Sequence, residues 1–312
     1  MSKNMLPTPL YRDPIYDGAT DPTIIYNNIE DKWWLIYTSR RASSQPIGHS
    51  WVHGSALGVA SSSDGYEWTY RGTIPNLDIE PGHNTFWAPE VIEYQGKYHM
   101  YVTYIQGIPT DWAGHERNIL HYTSDNMWDW SFQSKLQLSS SYVIDAAIHP
   151  HPDGTWRMWY KDEAKNSSTW VAKSEDLYKW EVIGQVLDEY PHEGANVFFW
   201  KSYYWLIVDC WKGQVVYQSK NCDDWQEQTV ILQEFGMRED DGDYGRHADV
   251  LVTDDEKAYI FYFTHPDVHG DMDEQSYASR RSSIQVGELS LENGIMTCHR
   301  NEVVQLELGT TS

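Results

Sequence analysis

Five stretches of the sequence place an ionisable or aromatic residue just before a run rich in Val, Ile, Tyr, Trp and Phe. These residues are Asp21, Trp87 with Glu90, Asp145, His192 with Glu193, and Arg246 with His247. If the stretches meet, their carboxyl and imidazole groups can run general acid–base chemistry, in which one group donates a proton and another activates water. A single one of them, such as Asp21 before Pro22, is equally well explained as a turn residue. Their recurrence at the same position relative to a strand favours a functional site.

The elements that would position these residues repeat along the chain. A serine stands six residues before a tryptophan in four places: Ser62 and Trp68, Ser124 and Trp130, Ser174 and Trp180, Ser219 and Trp225. Two β-rich runs joined by a short polar turn precede each copy, and a fifth pair of runs occupies residues 248–263. Repeats with a period of about 40 to 60 residues are typical of propellers or solenoids. We interpret the tryptophans as structural, packing on the next blade, although the pattern also resembles the Asp box of sialidases.

Five successive units of four antiparallel strands predict an all-β fold, a five-bladed β-propeller that forms a single domain over residues 1–312. The predicted blades span residues 18–72, 85–135, 143–187, 193–233 and 246–308, and residues 1–17 form a lead-in arm. We expect each blade to find its four strands in contiguous sequence. Because the first strand of every blade lines the central channel, the residues that open these strands should face one mouth of the channel.

On these residues the sequence resembles glycoside hydrolase family 43 and its relative family 117, which are five-bladed propeller glycosidases. The resemblance extends from residue 21 to residue 298 and rests on Thr20-Asp-Pro-Thr-Ile-Ile, Trp87-Ala-Pro-Glu-Val-Ile, Ile144-Asp145 and Glu193. It implies that Asp21 is the general base, that Asp145 tunes the pKa of the acid, and that a residue of blade four is the general acid. Asp145-Ala-Ala departs from the Asp-Pro that is common in blade three of the family.

The identity of the acid is open between two neighbours. Blade four begins with His192-Glu193, and family 117 resembles this chain in having a His-Glu pair in which the histidine has the acid role. Neighbours on a strand point to opposite faces unless a bulge intervenes, so we predict that only one faces the channel and that it is Glu193. A carboxyl acid needs a raised pKa, which Asp145 would provide by like-charge repulsion. With Asp21 acting through water, the reaction would invert the anomeric centre.

The loops that would overhang this mouth are the long ones, residues 39–54, 105–118 and 264–282. They carry aromatic, histidine and arginine side chains, which suit stacking on sugars and binding of their polar groups. With the strand openings they give the predicted substrate-binding set: Trp51, Trp87, Glu90, Trp112, Arg117, Arg246 and His247. Such a rim around an acidic mouth predicts an exo-acting enzyme that removes a terminal sugar from a small oligosaccharide.

The chain has 23 Lys and Arg against 46 Asp and Glu, a formal net charge of −23. This balance argues against nucleic acid or an anionic membrane as a partner. Six arginines nevertheless fall on the predicted mouth: Arg40, Arg41, Arg117, Arg246, Arg280 and Arg281. Their planar guanidinium groups could select an anionic sugar. The alternative is that they pair with nearby acids such as Asp111, Glu116, Asp271, Asp273 and Glu274.

No cofactor is required for this chemistry. The resemblance implies one optional ion, calcium in the central channel, and His247 is either its ligand or a channel histidine bonded within the protein. Cys210, Cys222 and Cys298 fit neither a disulfide framework nor a metal motif, so we expect reduced thiols. Since the sequence as given starts without the apolar core of a signal peptide, a cytoplasmic location is expected. The oligomeric state stays open.

Two other classes of function are weighed against a glycosidase. A non-catalytic carbohydrate-binding propeller would tolerate loss of any one of the three carboxylates, whereas this chain keeps all of them. A lyase or a sialidase-like propeller acting on acidic sugars would use tyrosine or histidine chemistry. A sialidase would also need an arginine triad, which we cannot assemble from this sequence.

Overall fold

The computed structural model describes residues 6–268, 276–306 and residue 308. Five four-stranded antiparallel sheets form in this part of the chain, each from four consecutive strands, which confirms the predicted five-bladed β-propeller. Blades one and two consist of β1 (Ala19–Asn27), β2 (Lys32–Ser39), β3 (Ala56–Ser62), β4 (Thr69–Thr73), β5 (Thr85–Tyr94), β6 (Lys97–Ile105), β7 (Asn118–Ser124) and β8 (Ser131–Lys135).

The remaining three blades continue in the same order. Their strands are β9 (Val143–Pro150), β10 (Trp156–Asp162), β11 (Ser168–Ser174), β12 (Glu181–Leu187), β13 (Glu193–Trp200), β14 (Tyr203–Asp209), β15 (Gln214–Ser219), β16 (Gln226–Ile231), β17 (Arg246–Val252), β18 (Ala258–Thr264), β19 (Ser283–Glu292) and β20 (Ile295–Cys298). Within the described residues, helix is limited to a 3-10 turn at Glu163–Lys165 and the short helix α1 at Tyr277–Arg280.

Burial across each sheet follows from the ring arrangement. The second strand of a blade is packed on both faces, so seven of the eight residues of β2 and all seven of β18 are buried. Their sequences therefore read as continuous apolar runs rather than as alternating ones. The fourth strands lie at the outer rim, where β4 and all of β12 except its buried last residue, Leu187, alternate between exposed and half-buried residues.

The repeated serine and tryptophan build the turn between the third and fourth strands of blades one to four. In each copy the serine Oγ accepts a hydrogen bond from the backbone N–H three residues later, which comes from Gly65, Met127, Leu177 or Cys222 at 2.8–3.0 Å. Trp180 then packs on Tyr101 of blade two, and Trp225 packs on Trp159 of blade three. The tryptophans are thus structural, but they contact the preceding blade and not the next one.

The lead-in arm helps to close the ring. Leu6, Leu10 and Tyr11 are buried in a cluster shared with blades one and five and with the chain near Leu306. Tyr11 also exchanges two backbone hydrogen bonds with Ile284 of β19, at 2.9 and 3.1 Å. Both ends of the described chain therefore cover the seam between the first and last blades. No helix among the described residues is both long and apolar enough to cross a membrane.

Candidate active site

The first strand of every blade contains a β-bulge close to its beginning. In the first four blades the bulge holds one residue in the left-handed backbone region: Asp21 (φ 48°), Ala88 (φ 45°), Asp145 (φ 58°) and Gly194 (φ 59°). Because blade two has an alanine at this point, the conformation belongs to the fold and is not by itself a sign of catalysis. Where the bulge residue carries a carboxyl group, as Asp21 and Asp145 do, it lines the mouth of the channel.

A cavity of about 700 Å³ opens at this mouth. It is lined by Asp21, Asp145, Glu193 and His247, which we call the upper tier of the channel. Its walls come largely from the loops between second and third strands, including Trp51, Trp112, Arg117, Trp211 and His265. Trp87 and Arg246 line it as well, so all the predicted catalytic and substrate-binding residues except His192 and Glu90 meet at one cavity.

Neighbouring blades are joined at the bulges by hydrogen bonds to the ends of the second strands. The bulge N–H of Ala88 donates to Thr38 Oγ1 at 2.8 Å, and that of Asp145 donates to Thr103 Oγ1 at 3.1 Å. The N–H of His247 donates to Asp209 at 2.9 Å. Lys161 occupies the corresponding position near the end of the second strand of blade three, and its ammonium group cannot accept a hydrogen bond. The N–H of Gly194 donates instead to the Asp145 carboxyl at 3.2 Å.

Lys161 therefore has a different partner, the carboxyl group of Glu193. Its Nζ lies 2.9 Å from Glu193 Oε2, 3.6 Å from Glu163 Oε1 and 5.4 Å from the centre of the Trp211 ring. Burial alone would raise the pKa of Glu193, but the charge and hydrogen bond of Lys161 outweigh it and hold that pKa well below its ordinary value. The prediction of a raised pKa at Glu193 is therefore wrong for this arrangement, because a cation that we did not foresee is its direct partner.

Raised pKa values occur instead at the other buried groups around the cavity. Burial, reinforced by the charges of Glu193 and Asp21, raises the pKa of Asp145 to about 6, although His247 and Lys161 oppose the shift. Burial and Glu193 raise the pKa of Asp209 to about 7. Burial disfavours the charged form of His247, yet the surrounding carboxylates outweigh it and raise the pKa of the imidazole. The groups beside Glu193 thus favour their protonated forms, whereas Glu193 favours its charged form.

Asp21 has polar neighbours on three sides. Thr20 Oγ1 donates to Asp21 Oδ2 at 3.0 Å, Arg40 Nη2 lies 3.5 Å from the same oxygen, and His247 Nδ1 lies 3.7 Å from Oδ1. The His247 ring in turn lies against Gly194, where a Cβ atom would come within 2.7 Å of its Cγ. A glycine at this bulge is therefore needed for the imidazole to reach Asp21.

His192 does not line the cavity. Its Nε2 is 2.6 Å from Thr169 Oγ1 and its Nδ1 is 2.8 Å from the carbonyl oxygen of Tyr190. Burial lowers its pKa, so the ring is neutral and fully bonded within blades three and four. This corrects the alternative that His192 is the general acid, because the structure brings only Glu193 of the pair to the cavity.

Glu90 also lies away from the cavity, two residues beyond its bulge along β5. Its Oε1 accepts the backbone N–H of Ile148 at 2.8 Å. Asp249, two residues beyond His247 in β17, accepts from the N–H of Ile24 and from Asn196 Nδ2, both at 2.8 Å. We call Glu90, Asp249 and Asn196 the lower tier. The assignment of Glu90 to substrate binding is corrected, since this carboxyl joins neighbouring blades inside the channel.

The aromatic side of the cavity is a connected stack. The rings of Trp87 and Trp112 are stacked at 6.1 Å, and the Arg117 guanidinium lies 5.1 Å from the centre of the Trp87 ring. Arg117 is buried and donates to Glu163 at 2.7 Å and to the carbonyl oxygen of Trp112. Trp112 itself is 44% exposed. Arg117 therefore fixes the stack, and Trp112 presents an accessible ring to a ligand.

The donor set around His247 does not fit a directly bound metal ion. Among the described residues, no group of three or more His, Cys, Asp or Glu side chains has the arrangement of a metal site. His247 faces Asp21 at ion-pair distance, and Asp209 is occupied by the backbone N–H groups of His247 and Trp211. The implied calcium ligand role of His247 is thus without support in this geometry.

Lys161, Asp209 and Trp211 are the important neighbours of the site that the sequence reading missed. Lys161 lies opposite Ile144 in the β9–β10 pairing, one residue before Asp145. Asp209 lies opposite Glu193 in the β13–β14 pairing. A β-bulge shifts each of these pairings by one residue from the register that counting along the hairpin gives, so the sequence places Lys161 and Asp209 near the strand openings without fixing their partners.

Comparison with solved structures establishes the fold independently. A thermostable family-43 glycoside hydrolase matches 97% of this chain and 99% of its own, with 18% identity and a TM-score of 0.68. A xylan β-1,4-xylosidase from Bacillus halodurans C-125 matches 95% of this chain at 16% identity and a TM-score of 0.68, and this chain spans 58% of its length. No protein-family model and no curated protein matches the sequence.

A third similar structure carries a ligand. It is a family-43 β-xylosidase/α-arabinofuranosidase from a compost microbial metagenome, in complex with xylotriose and in a calcium-free form. It matches 94% of this chain and 97% of its own, with 17% identity and a TM-score of 0.66. At these identities the likeness shows a shared five-bladed fold, and the resemblance expected from the sequence is confirmed at that level.

Proposed function

We propose that this protein is a glycoside hydrolase that removes a terminal sugar from a small oligosaccharide with inversion. The observation that carries the proposal is the convergence of Asp21, Asp145 and Glu193 from three different blades on one cavity. Glycosidic bond hydrolysis needs a proton donor at the leaving oxygen and a base for water, and a set of carboxyl groups supplies both. Similar folds in family-43 hydrolases support the proposal.

In the proposed mechanism Asp21 activates water and Glu193 protonates the leaving oxygen. Asp21 is held by Thr20 and by the long contact to Arg40. Glu193 must first take up a proton, which Lys161 resists. Asp145, whose pKa is about 6, is placed beside it through the Gly194 N–H and can hold that proton at mildly acid pH. The proposal therefore requires that a leaving-group oxygen between Glu193 and Lys161 weakens their ion pair.

The shape of the cavity supports exo action on an oligosaccharide. Its volume of about 700 Å³ lies within the roughly 300–1,000 Å³ typical of small-molecule sites. Loops from several blades stand over it, and the exposed ring of Trp112 lies at its wall, suited to stacking on a sugar beyond the cleaved bond.

Carboxyl groups alone can carry the reaction, so we propose that no cofactor is required and that dialysis against EDTA leaves the rate unchanged. The three cysteines are unpaired, which supports a cytoplasmic site of action. Fractionation of the source cells with antibody detection tests the location.

One observation favours a second candidate function, a carbohydrate-binding propeller without catalysis. The buried ion pair of Lys161 with Glu193 keeps the proposed acid ionised. A protein that only binds sugars would have no need to protonate Glu193, and the pair would then be a structural contact.

The test is a screen of aryl glycosides and plant or algal oligosaccharides, with released sugars quantified by chromatography. The expected result is hydrolysis of at least one substrate by the wild type and loss of that hydrolysis in Asp21→Asn. Asp249→Asn, the same chemical change in the lower tier, is the matched control and should keep most of the activity. Binding of an oligosaccharide without any hydrolysis would favour the second candidate.

A further inference from the structure

We propose that a positive corner of the cavity, formed by Arg40, Arg246, Phe263 and His265, binds an anionic group on the sugar. The shared chemistry is an oxyanion, either the carboxylate of a uronic acid or a sulfate ester. The inference rests on the proposed function, because it names the class of sugar that the same cavity receives. All four residues line that cavity.

The corner is compact. Arg246 of β17 lies directly opposite Phe263 of β18, and the Arg40 guanidinium sits 5.3 Å from the centre of the Phe263 ring. The His265 ring lies 5.5 Å from the same ring. Burial, then the charges of Arg246 and Arg40, lower the pKa of His265 to about 3. His265 is therefore neutral, and its Nδ1 donates to the carbonyl oxygen of Arg281 at 3.0 Å.

Both arginines have unused hydrogen-bond donors. Arg40 makes one side-chain bond, the 3.5 Å contact to Asp21, and its buried Nε has no partner among the described residues. Arg246 donates from Nε to Asp243 at 3.1 Å, and neither of its terminal nitrogens is bonded to a described residue. A buried guanidinium nitrogen without an acceptor is unfavourable, and an oxyanion presents the acceptors that a guanidinium binds best.

Three other arginines of the predicted rim are occupied, but their partners among the described residues are not the acids that the alternative interpretation named. Arg41 donates to the carbonyl oxygens of His53 and Ser50. Arg281 is held by Asp240 and Asp267, and Arg117 by Glu163. Three of the acids named as pairing candidates, Asp271, Asp273 and Glu274, lie outside the described residues.

The charge of the cavity differs from that of the chain. The whole chain has twice as many acidic as basic residues, 46 against 23. The cavity lining holds equal numbers: Asp21, Asp145, Glu163 and Glu193 against Arg40, Arg117, Lys161 and Arg246. Glu163 pairs with Arg117 and Glu193 pairs with Lys161. The two remaining cations, Arg40 and Arg246, each have one contact to an acid, Asp21 or Asp243, and both lie beside Phe263, where an anionic substituent could meet their other donors.

The first experiment measures binding and needs no catalysis. Calorimetric titrations compare three sugars that differ at one carbon, D-galactose, D-galacturonate and D-galactose 6-sulfate, each with the folded wild-type protein. We expect at least one acidic sugar to bind 10-fold or more tightly than galactose. Preference for galacturonate assigns the corner to a carboxylate, and preference for the sulfate assigns it to a sulfate ester. Equal binding of all three, or no binding of any, overturns the proposal.

Variants then test whether the preference for an acidic sugar depends on Arg246. Arg246→Gln should remove the preference for the acidic sugar, because about 10-fold in affinity is the expected loss for one charge-assisted hydrogen bond. Arg71→Gln, the same change at an arginine paired with Glu30 far from the cavity, is the control and should keep it. An acidic preference that survives Arg246→Gln contradicts the assignment.

Failure of this proposal is separate from failure of the proposed function. If the protein hydrolyses neutral glycosides but binds acidic and neutral sugars equally, the anion-binding role of the corner is refuted and the glycosidase function stands. If the protein binds an acidic sugar through Arg246 but hydrolyses no glycoside, the anion-binding role of the corner stands and the glycosidase function is refuted.

Discussion

The upper and lower tiers of the channel offer a comparison within one molecule. Both contain enclosed carboxyl groups on first strands, and burial raises the pKa of Asp145 in the upper tier and of Glu90 and Asp249 in the lower tier. The lower-tier oxygens accept backbone N–H groups of the next blade, from Ile148 and Ile24. Asp21, Asp145 and Glu193 line a cavity instead.

The difference shows that a perturbed pKa does not identify a catalytic group in this fold. A carboxyl whose oxygens bind the backbone of a neighbouring blade stabilises the ring, whereas one that faces open space can meet a substrate. Lys161 separates the tiers further, because it places a cation against an upper-tier carboxyl and the lower tier has no such partner among the described residues.

The largest difference is expected between Asp21→Asn and Asp249→Asn. Loss of a general base lowers kcat by about 10²- to 10⁴-fold, and Asp21→Asn should show this with little change in thermal stability. Asp249→Asn should instead destabilise the fold by about 1–3 kcal/mol, since an amide cannot accept all the bonds from Ile24 and Asn196. Steady-state kinetics and urea unfolding measure both. Similar losses of activity in the two variants would contradict the assignment of a catalytic role to the upper tier and a structural role to the lower tier.

Glu193→Gln and His192→Gln should differ next. On a substrate with a poor leaving group, Glu193→Gln should lose about 10²-fold in kcat or more, because proton donation limits that reaction. On an activated aryl glycoside the loss should be smaller. His192→Gln changes a residue bonded away from the cavity and should change kcat less than Glu193→Gln on both substrates. A fully active Glu193→Gln variant would remove Glu193 from the mechanism.

Lys161→Met should change the pH profile in a direction that follows from its charge. Lys161 lowers the pKa of Glu193, so its removal raises that pKa and keeps the acid protonated to higher pH. The alkaline limb of kcat/KM should therefore move to higher pH. Lys201→Met, at an exposed lysine paired with Glu256, is the control and should leave the limb in place. An unmoved limb in Lys161→Met would mean that Glu193 does not titrate in catalysis.

Asp209→Asn should produce the smallest effect, a change in how stability depends on pH. The folded protein raises the pKa of Asp209 from 3.8 to about 7, so the folded state binds more protons than the unfolded state within this window. This carboxyl therefore makes the free energy of unfolding fall as pH rises through the window. The variant lacks that contribution and should gain stability relative to the wild type between pH values of roughly 4 and 7. Urea unfolding at several pH values measures the difference in free energy of unfolding between the variant and the wild type. A difference that does not change with pH would contradict this prediction.

The sequence predicts the blades well because their signals are local. The serine and tryptophan of each outer turn and the apolar runs of each hairpin are read within a single unit, and the openings of the first strands follow from them. Lys161 and the position of His192 depend on longer-range geometry. Lys161 reaches Glu193 across the boundary between blades three and four, and His192 is drawn toward Thr169 of blade three. Those contacts come from the packing of blades, which no pattern within one blade encodes.

We propose that the upper tier carries out inverting hydrolysis, with Asp21 as the base and Glu193 as the acid. Proton NMR of the anomeric signals in the first minutes of hydrolysis, on a substrate found in the screen, tests it most directly. The first sugar released should have the opposite anomeric configuration to the bond that was cleaved, and Asp21→Asn should abolish its release. A first product with the same configuration as the substrate would show retention and would exclude Asp21 as a base that acts through water.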